Sequence, residues 1–391
     1  MNSPAQSPSP KRAPYKVICL TGGPCGGKTS SVSILSDLFE SLGWRVYRVP
    51  ETATILFGGG VHFPDLDREA SYSFQKSILT VMIQIENTYR ELAKLNSKRG
   101  IKTVLICDRG AMDPSAYMDR NEWLRMLHEL QLDEVALRDH RYDCVVHLVT
   151  AAKGAEAFYS LENNATRTEG LELAASLDTA VMNAWVGHAS LQVIDNVSVK
   201  NFTEKCDRVV QAVSTRLGLT SDQNRYGKQV KKHKFLVNNY KFSKDFPVPY
   251  RDFHVEHRYV INTLGDGTQT RIRRRVEVGM TSVHLNMTIR YPEHDGQRVE
   301  IRRNISPREF ESLRSQSDPT RKTITKLRRC FLYNDRYFQL DLFQAPQEGL
   351  VMLEAYLDYE GNSNRLLVPD WLDCTEITDQ NQYSMFSLAS R

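Results

Sequence analysis

A glycine-rich loop near the start of the chain has the residue types and spacing that bind phosphate groups. Residues 22–29 read GGPCGGKT and fit the pattern GxxxxGK[ST]. Glycines allow a tight turn whose backbone N–H groups point at phosphate oxygens, and a following helix adds the positive end of its dipole. Lys28 is expected to neutralise phosphate charge, and the Thr29 hydroxyl to bind Mg²⁺. The predicted triphosphate-binding residues are Gly22, Gly23, Pro24, Cys25, Gly26, Gly27, Lys28, Thr29 and Ser30.

The segments around this loop indicate an α/β domain. The run before it, YKVICLT, is typical of a buried strand, and Ser30 to Leu42 has apolar residues at helical spacing. Strand-like runs and helical segments then alternate up to about residue 220. This alternation predicts a P-loop domain over residues 15–220, with a parallel sheet covered by helices on both faces. Ligands of such sheets bind at the carboxyl ends of the strands.

Charged residues fall at two of the predicted strand ends. Asp108 follows the apolar run TVLIC, where a Walker B aspartate would hold the magnesium shell, or it is a solvated strand-end carboxylate. Arg109 beside it would fix a phosphate or an acceptor, or form a surface salt bridge. Glu51, in the run VPETAT, would accept a proton from an acceptor hydroxyl as a general base. Alternatively, Glu51 is a structural residue that caps the start of a helix at Thr52.

Two later positions complete the predicted site. The segment 162–178 begins polar and becomes helical. It is predicted to form either a lid that places Arg167 over the phosphates or an ordinary loop. Asn196 follows the run LQVID, at a fifth strand end where it would contact the base or serve only structure. The sequence contains no NKxD-type guanine signature.

Composition gives the broad class of the chain. With 391 residues, two domains are expected, and residues 1–14, rich in Ser and Pro, predict a disordered tail. The seven cysteines form no CxxC pair, which favours a reducing compartment and argues against zinc. No signal peptide or membrane-spanning run is apparent, so a cytoplasmic protein is expected. Residues 225–336 carry 25 Lys/Arg and 12 Asp/Glu, although the whole chain carries only +4. An anion should therefore bind in the second half.

The second half predicts an antiparallel β domain over residues 229–380, after a linker at 221–228. Eight runs with strand-like alternation, separated by turns, suggest a closed barrel or deeply curved sheet. Charged residues recur on alternate positions, so they would line a polar interior that holds an anion, or a solvated basic face. The predicted anion-binding or lipid-binding residues are Lys232, Lys234, Arg271, Arg273, Arg290, Arg302, Lys326 and Arg328.

This strand pattern resembles the CYTH-type triphosphate tunnel domains. The matching positions are Arg271 and Arg273 for an RxR strand, Arg290, Glu300, Lys326 and Arg328 for a KxR strand, Asp341 and Glu354. The chain departs from the pattern at Val230, Lys232 and Tyr356, where the resemblance implies metal-binding carboxylates. Magnesium-dependent triphosphate hydrolysis is therefore not expected, and the added lysine favours holding a phosphorylated head group.

The order of domains resembles the TRPL translocation defect family, in which a P-loop domain of ribosylnicotinamide-kinase-like type is fused to a CYTH-like barrel. The parts that carry this resemblance are GGPCGGKT, LICDRGAMD, the lid segment and the strand order. It implies GTP with Mg²⁺, phosphoinositides or phosphatidic acid, peripheral membrane contact and membrane-protein trafficking. One alternative is a nucleoside-like kinase that uses ATP, with Glu51, Asp108 and Arg167 as catalytic residues. Nucleic-acid binding is not favoured, because strand packing explains the few aromatic residues.

Overall fold

A computed structural model describes most of the chain between residues 13 and 390. The described residues are 13–62, 65–159, 170–219, 231–238, 240, 243, 245–263, 265–292, 300–357 and 368–390. Residues 1–12 of the predicted tail, the predicted linker, Arg167 and Val230 lie outside them. The chain divides into two compact units. The first takes its described residues from Met1–Gln131, Arg141–Trp185 and Ile194–Val213, and the second from Leu132–His140, Val186–Val193 and Ser214–Arg391.

The first unit contains a five-stranded parallel sheet in the order β2-β3-β1-β4-β5. Its strands are β1 (Tyr15–Thr21), β2 (Arg45–Val49), β3 (Thr103–Asp108), β4 (Cys144–Leu148) and β5 (Leu191–Ile194). Its helices are α1 (Lys28–Ser41), α2 (Thr52–Gly58), α3 (Arg68–Lys98), α4 (Arg120–Glu129), α5 (Leu171–Ala184) and α6 (Phe202–Leu217), the unit boundaries falling within β5 and α6. The predicted parallel sheet with helices is confirmed.

The strand order brings the predicted site together. The central strands β1, β3 and β4 are buried along almost their whole length, as their continuous apolar sequences predict. Strand β1 pairs in parallel with β3 on one side and β4 on the other. The loop that leaves β1 therefore lies at the carboxyl ends of three adjacent strands. This edge is where an open parallel sheet binds its ligand.

The second unit contains a nine-stranded sheet in the order β10-β9-β8-β7-β11-β12-β13-β6-β14. Its strands are β6 (Lys231–Val237), β7 (Tyr250–Val260), β8 (Gln269–Glu277), β9 (Val283–Arg290), β10 (Glu300–Asn304), β11 (Ile324–Tyr333), β12 (Arg336–Ala345), β13 (Val351–Leu357) and β14 (Cys374–Glu376). Its helices are α7 (Pro307–Arg314) and α8 (Met385–Leu388). Every pair of neighbouring strands is antiparallel, as predicted.

The predicted closed barrel is wrong, because the described strands form an open sheet. Strands β10 and β14 are its two edges and do not pair with each other. Alternation in a sequence shows which side chains share a face, but it carries no information on whether two distant edges meet. A short ninth strand, β14, also escaped the sequence pattern because it has only three residues.

The two faces of this sheet differ in chemistry. One face buries apolar clusters, one of them formed with Phe310 of α7 and another around Phe235 and Phe331. The opposite face carries the charged side chains of β6 to β13. At one part of this charged face, Tyr259, Ile324, Phe343 and Met352 pack against the C-terminal residues Ile377 to Ala389. The apolar face therefore holds the sheet together, and the C-terminal residues cover part of the charged face.

Candidate functional site

The phosphate loop, residues Gly22–Thr29, requires glycine for steric reasons. Gly22 has a φ of 138°, and a Cβ at this position would lie 2.1 Å from the carbonyl oxygen of Leu148. A Cβ on Gly26 would lie 2.6 Å from the same oxygen. Gly27, which immediately precedes α1, has a φ of 93°. The loop therefore lies directly against the end of β4, where larger residues do not fit.

Asp178, a buried carboxylate that was not predicted from the sequence, fixes the phosphate loop. Asp178 of α5 accepts hydrogen bonds from the backbone N–H of Gly23 at 2.9 Å and of Thr150 at 3.0 Å. It also contacts His147 at 3.1 Å and Lys153 at 3.2 Å. Burial by itself raises the pKa of Asp178, but His147, Lys153 and the Gly23 N–H outweigh it and hold the pKa below its usual range.

The ammonium group of Lys28 lies over the loop. It donates hydrogen bonds to the carbonyl oxygens of Gly22 at 3.1 Å and of Gly23 at 2.9 Å. Burial lowers the pKa of Lys28, and the nearby Arg109 adds to this effect. Both cations destabilise each other in the protein alone, so an anion between them would be bound favourably.

A cluster of charged residues forms where β3 ends. Arg109 has a left-handed backbone with a φ of 72°, which is uncommon for a residue other than glycine. Its side chain contacts Glu51 at 2.5 Å, the Gly22 carbonyl oxygen at 3.3 Å and Asp113 at 3.7 Å. Asp113 is almost fully buried and accepts hydrogen bonds from Thr21 at 2.7 Å and from Trp185 at 2.6 Å. Glu51, with the more distant Asp113, thus holds Arg109 beside the phosphate loop.

The electrostatic environment of Glu51 makes it a weak base. Burial raises its pKa, but Arg109, Lys28 and the Thr54 hydroxyl outweigh this effect and bring the pKa to about 2. The Thr54 hydroxyl donates to Glu51 at 2.7 Å. A general base works best when its pKa lies near the working pH. In this arrangement Glu51 acts mainly as the partner of Arg109.

Asp108 and Thr29 have the chemistry that a magnesium ion requires. Asp108 is largely buried, and its Oδ1 atom has no hydrogen-bond partner among the described residues. Burial raises its pKa, which Lys28 partly opposes. Thr29 is exposed at the start of α1, and both residues line the same cavity. Mg²⁺ takes one or two protein oxygens together with phosphate and water oxygens, so these residues fit the ion.

Asn196 has a different environment from the one expected for a base contact. Its amide donates to the carbonyl oxygens of Thr150 at 2.8 Å and Lys153 at 2.7 Å, and its oxygen accepts from Lys205 at 2.7 Å. The side chain therefore fixes the loop after β4. The aromatic residue near the phosphate loop is Phe202, whose ring lies 2.6 Å from where a Cβ on Gly27 would be. Phe202 is half exposed and offers a surface for stacking.

Most of the predicted residues of the first unit line one cavity of about 1820 Å³. This volume exceeds the roughly 300–1000 Å³ of a typical small-molecule site. The predicted residues in its wall are Pro24, Cys25, Gly26, Gly27, Lys28, Thr29, Ser30, Glu51, Asp108, Arg109 and Asn196. The cavity therefore has room for more than the triphosphate group.

In the second unit, the strand register places the predicted cations on one face. Arg271 pairs with Tyr259 and Thr288, and Arg273 pairs with His257 and Asn286. We call this polar face the basic cradle. Its charged and polar residues are Lys232, Lys234, His257, Arg271, Arg273, Arg275, Asn286, Arg290, Glu300, Arg302, Lys326, Arg328, Asp341 and Glu354.

Carboxylates pair with most of the cations in this face. Asp341 contacts both Lys326 and Arg328 at 2.6 Å, and Glu354 contacts Lys232 at 2.7 Å. Burial lowers the pKa of Lys326 to about 8, although Asp341 opposes the shift. On β10, Glu300 accepts hydrogen bonds from Arg290 at 2.8 Å and from Arg302 at 2.5 Å. On β6, Lys234 donates a hydrogen bond to the Tyr383 carbonyl oxygen at 3.1 Å.

Arg271, Arg273 and Lys234 differ from the other cations of the cradle, because none of the three forms a salt bridge with a carboxylate of the described residues. Burial lowers the pKa of Arg273, and Arg275, Arg328, Arg271 and Arg302 lower it further. With its amide oxygen turned toward Arg273, Asn286 accepts from Nη2 at 2.6 Å. Burial raises the pKa of Tyr259, and the nearby Arg271 opposes this shift. These two neighbouring guanidinium groups therefore form the part of the cradle best suited to an anion.

Residues 132–140 fall within the predicted first domain, but they belong to the second compact unit. Asp139 contacts Arg138 at 2.8 Å and Arg275 at 3.3 Å, and Arg138 also contacts Glu277 at 2.9 Å. Arg275 further donates to the Gly187 carbonyl oxygen. The segment thus neutralises one end of the arginine row on β8. Alternate charges in TRIRRRVE signalled that row, but not the distant residues that pair with it.

Comparisons with known proteins define the first unit more clearly than the second. Residues 17–201, a little under half of the chain, match a family described as an AAA domain. Together with the parallel sheet and the phosphate loop, this match indicates a P-loop-like nucleotide-binding domain. No curated protein matches the chain by sequence.

Solved structures with similarity to the chain include two determinations of one protein. They are described as the hypothetical protein NE1496 (21% identity, TM-score 0.29, 41% of this chain and 96% of that one) and the inorganic triphosphatase NE1496 (20%, 0.30, 42% and 97%). PH1819 from Pyrococcus horikoshii OT3 has 15% identity and a TM-score of 0.24, and covers 33% of this chain and 80% of that one. TM-scores this low carry no functional argument.

The described residues contain neither a cluster of metal-ligating side chains nor a membrane-spanning helix. They contain no group of three or more His, Cys, Asp or Glu side chains that could hold a metal ion. Within the same part of the chain, no helix is long and apolar enough to cross a membrane.

Replacing Asp178 tests the support of the phosphate loop. Asp178→Ala leaves the N–H groups of Gly23 and Thr150 and the His147 ring without their buried acceptor. We expect unfolding in urea to require about 3 kcal/mol less free energy, together with weaker nucleotide binding. Asp37→Ala, at an exposed position on α1, is the control. Equal effects of the two changes in tryptophan-monitored unfolding would contradict this role.

Proposed function

We propose that the first unit binds a nucleoside triphosphate with Mg²⁺, and that the basic cradle binds the phosphorylated head group of an anionic phospholipid. GTP is the expected nucleotide, with ATP as the alternative. Phosphoinositides and phosphatidic acid are the expected lipids, recognised by peripheral contact with cytoplasmic membranes. The resemblance to the TRPL translocation defect family supports this proposal, and with it we propose a role in membrane-protein trafficking. The observation that carries it is the combination of two anion sites in one chain.

The nucleotide part rests on the phosphate loop and its surroundings. Backbone N–H groups, Lys28 and the start of α1 favour phosphate, while Thr29 and Asp108 supply oxygens for the metal ion. Bound Mg²⁺ would offset charge on the phosphate oxygens. Arg109 lies close enough to the Gly22 carbonyl oxygen, at 3.3 Å, to reach the terminal phosphate region. Phe202 is the proposed stacking surface for the base.

The lipid part rests on the charges of the cradle. Arg271 and Arg273 lack carboxylate partners among the described residues, and a phosphate monoester would supply the missing negative charge. Lys234 and Arg302 lie on the same face and would extend the contact. Each Lys or Arg near an anionic membrane surface adds about 1 kcal/mol, so these residues suffice for peripheral binding.

The cradle does not have the arrangement of a metal-dependent hydrolase. Its described carboxylates, Glu300, Asp341 and Glu354, each contact at least two Lys or Arg side chains. Lys232 in particular places an ammonium group 2.7 Å from Glu354, where a divalent cation would otherwise compete. Head-group binding should therefore need no metal ion, and no bond of the lipid is expected to break.

Nucleotide titrations test the first unit. Lys28→Ala should weaken binding of fluorescent GTP and ATP analogues about 100-fold, since hydrogen bonds to a charged group contribute up to about 3 kcal/mol. Asp108→Asn should retain the affinity measured in EDTA but lose the gain produced by Mg²⁺. An unchanged Mg²⁺ gain in Asp108→Asn would remove this residue from the metal site. The ratio of GTP to ATP affinity in the wild-type protein decides between the two nucleotides.

Vesicle flotation with neighbouring arginines tests the cradle. Arg273→Ala should weaken binding to phosphatidylcholine vesicles that contain phosphatidic acid or a phosphoinositide about tenfold, because a charge-assisted contact is lost. Arg274→Ala is the matched control, since Arg274 is exposed on the other face of β8. EDTA should change neither result. Equal binding by both variants, or binding that depends on Mg²⁺, would contradict the proposal.

A nucleoside-like kinase is the second candidate, favoured by the size of the cavity beside Glu51 and Asp108. It requires Glu51 to leave Arg109 and accept a proton, because its pKa of about 2 in the present arrangement is unsuitable for a base. Transfer of labelled γ-phosphate from ATP to a nucleoside, abolished by Glu51→Gln with nucleotide binding intact, would support this function. Absence of transfer with bound nucleotide and nucleoside would exclude it.

A further inference from the structure

His257 of β7 lies at the centre of the basic cradle. In the antiparallel register it pairs with Arg273 of β8 on one side and with Ile324 of β11 on the other. Arg271, two residues from Arg273, extends from the same face of the sheet. Directly opposite residues of antiparallel strands have side chains on the same face. His257 is therefore beside two guanidinium groups that pair with no carboxylate of the described residues.

The imidazole ring of His257 has a nitrogen without a partner. Only 4% of the residue is exposed, and its Nδ1 atom makes no hydrogen bond to the residues that the structure describes. A buried polar atom without a partner costs about 1–3 kcal/mol, so such atoms normally have one. Packing alone does not require histidine here, because Val255 and Ile324, its neighbours on the same face, are buried apolar residues. The free nitrogen therefore points to a ligand.

The charged groups closest to this ring are cations. Titratable side chains surround it on β7, β8, β11 and the C-terminal segment, and they are Tyr259, Arg271, Arg273, Lys326, Arg328 and Tyr383. Asp341 of β12 is engaged by Lys326 and Arg328, each at 2.6 Å. Burial lowers the pKa of His257 well below its usual range, and these arginines and Lys326 lower it further. Near neutral pH the ring is therefore uncharged in the protein without ligand.

A bound phosphate would reverse the electrostatic environment of the ring. Held between the guanidinium groups of Arg271 and Arg273, it would lie beside His257 and offset the repulsion from the cations. A nearby negative charge favours the protonated form of a histidine. An imidazolium donates from both ring nitrogens, whereas the neutral ring donates from only one, so Nδ1 of the protonated ring can donate to a phosphate oxygen. Proton binding and phosphate binding therefore favour each other.

We infer that His257 contacts the phosphate of the bound head group together with Arg271 and Arg273, and that its imidazole takes up a proton when the phosphate binds. This inference rests on the proposed function of the cradle, to which it adds a further ligand-binding residue and a dependence on pH. Head-group affinity should increase as the pH falls through the weakly acidic range. The reason is that His257 is protonated in the complex at pH values at which it is uncharged in the free protein.

Vesicle flotation at two pH values tests this inference on the full chain. A phosphate monoester itself gains a proton near pH 6, so variants are compared on the same phosphatidylcholine vesicles containing a phosphoinositide or phosphatidic acid. The ratio of the affinity at about pH 5.5 to that at about pH 7.5 should be about three- to tenfold larger for the wild type than for His257→Gln. His254→Gln, at an exposed histidine on the other face of β7, is the matched control and should behave as the wild type. A ratio that His257→Gln leaves unchanged would overturn the inference.

Calorimetry on the wild-type protein gives a result that does not depend on the folding of a variant. The probe is inositol hexasulfate, because sulfate groups keep their full charge throughout this pH range. Titrations at about pH 6 in buffers of different ionisation enthalpy should show net proton uptake on binding, retained in His254→Gln and lost in His257→Gln. Binding of the probe without proton uptake overturns the inference alone. If neither the vesicles nor the probe bind at either pH, the proposed head-group function fails, and the inference fails with it.

Discussion

Charged groups that leave water need partners, and this constraint accounts for most of the polar architecture of both units. In the first unit, Asp178 and Asp113 each accept several hydrogen bonds that hold the phosphate loop and its neighbours. In the second, the buried carboxylates Asp341 and Glu354 pair with cations of β6 and β11. Among the described residues, the charged groups proposed to bind ligands lack some of these partners. The Oδ1 atom of Asp108 makes no hydrogen bond, and Arg271 and Arg273 pair with no carboxylate.

Local sequence patterns predicted the phosphate loop and the alternating cations because both depend on short-range geometry. The loop needs glycine at fixed offsets, and a period of two assigns strand residues to faces. Asp178 and Asp113 escaped prediction because their partners lie far away in the sequence. A signal for Asp178 did exist, since it occupies an apolar position of α5 beside Ala174, Val181 and Met182. The assignment of residues 132–140 to the second unit and the open sheet edges depend on long-range packing, which no local pattern contains.

The environment of Glu51 distinguishes two roles between which the sequence did not decide, that of a catalytic base and that of a structural residue. A catalytic base must be able to take a proton near neutral pH, whereas Arg109 and Lys28 stabilise the charged form of Glu51. The same interactions suit a structural role, because Glu51 holds the Arg109 side chain beside the loop, where it also contacts the Gly22 carbonyl oxygen. Phosphoryl transfer would require an acceptor that separates Glu51 from Arg109. Triphosphate binding requires no such change, which is why it is the simpler function for this arrangement.

The surroundings of Arg273 show what a ligand would add to the basic cradle. Its guanidinium group contacts the neutral amide of Asn286 and pairs with no carboxylate of the described residues. Burial lowers the pKa of Arg273, and the neighbouring cations, Arg271 among them, lower it further. A phosphate beside Arg271 and Arg273 would offset this repulsion, because both side chains lie on the same face of β8. Charge alone would not distinguish one phosphate from another, so selectivity depends on the shape of the cradle.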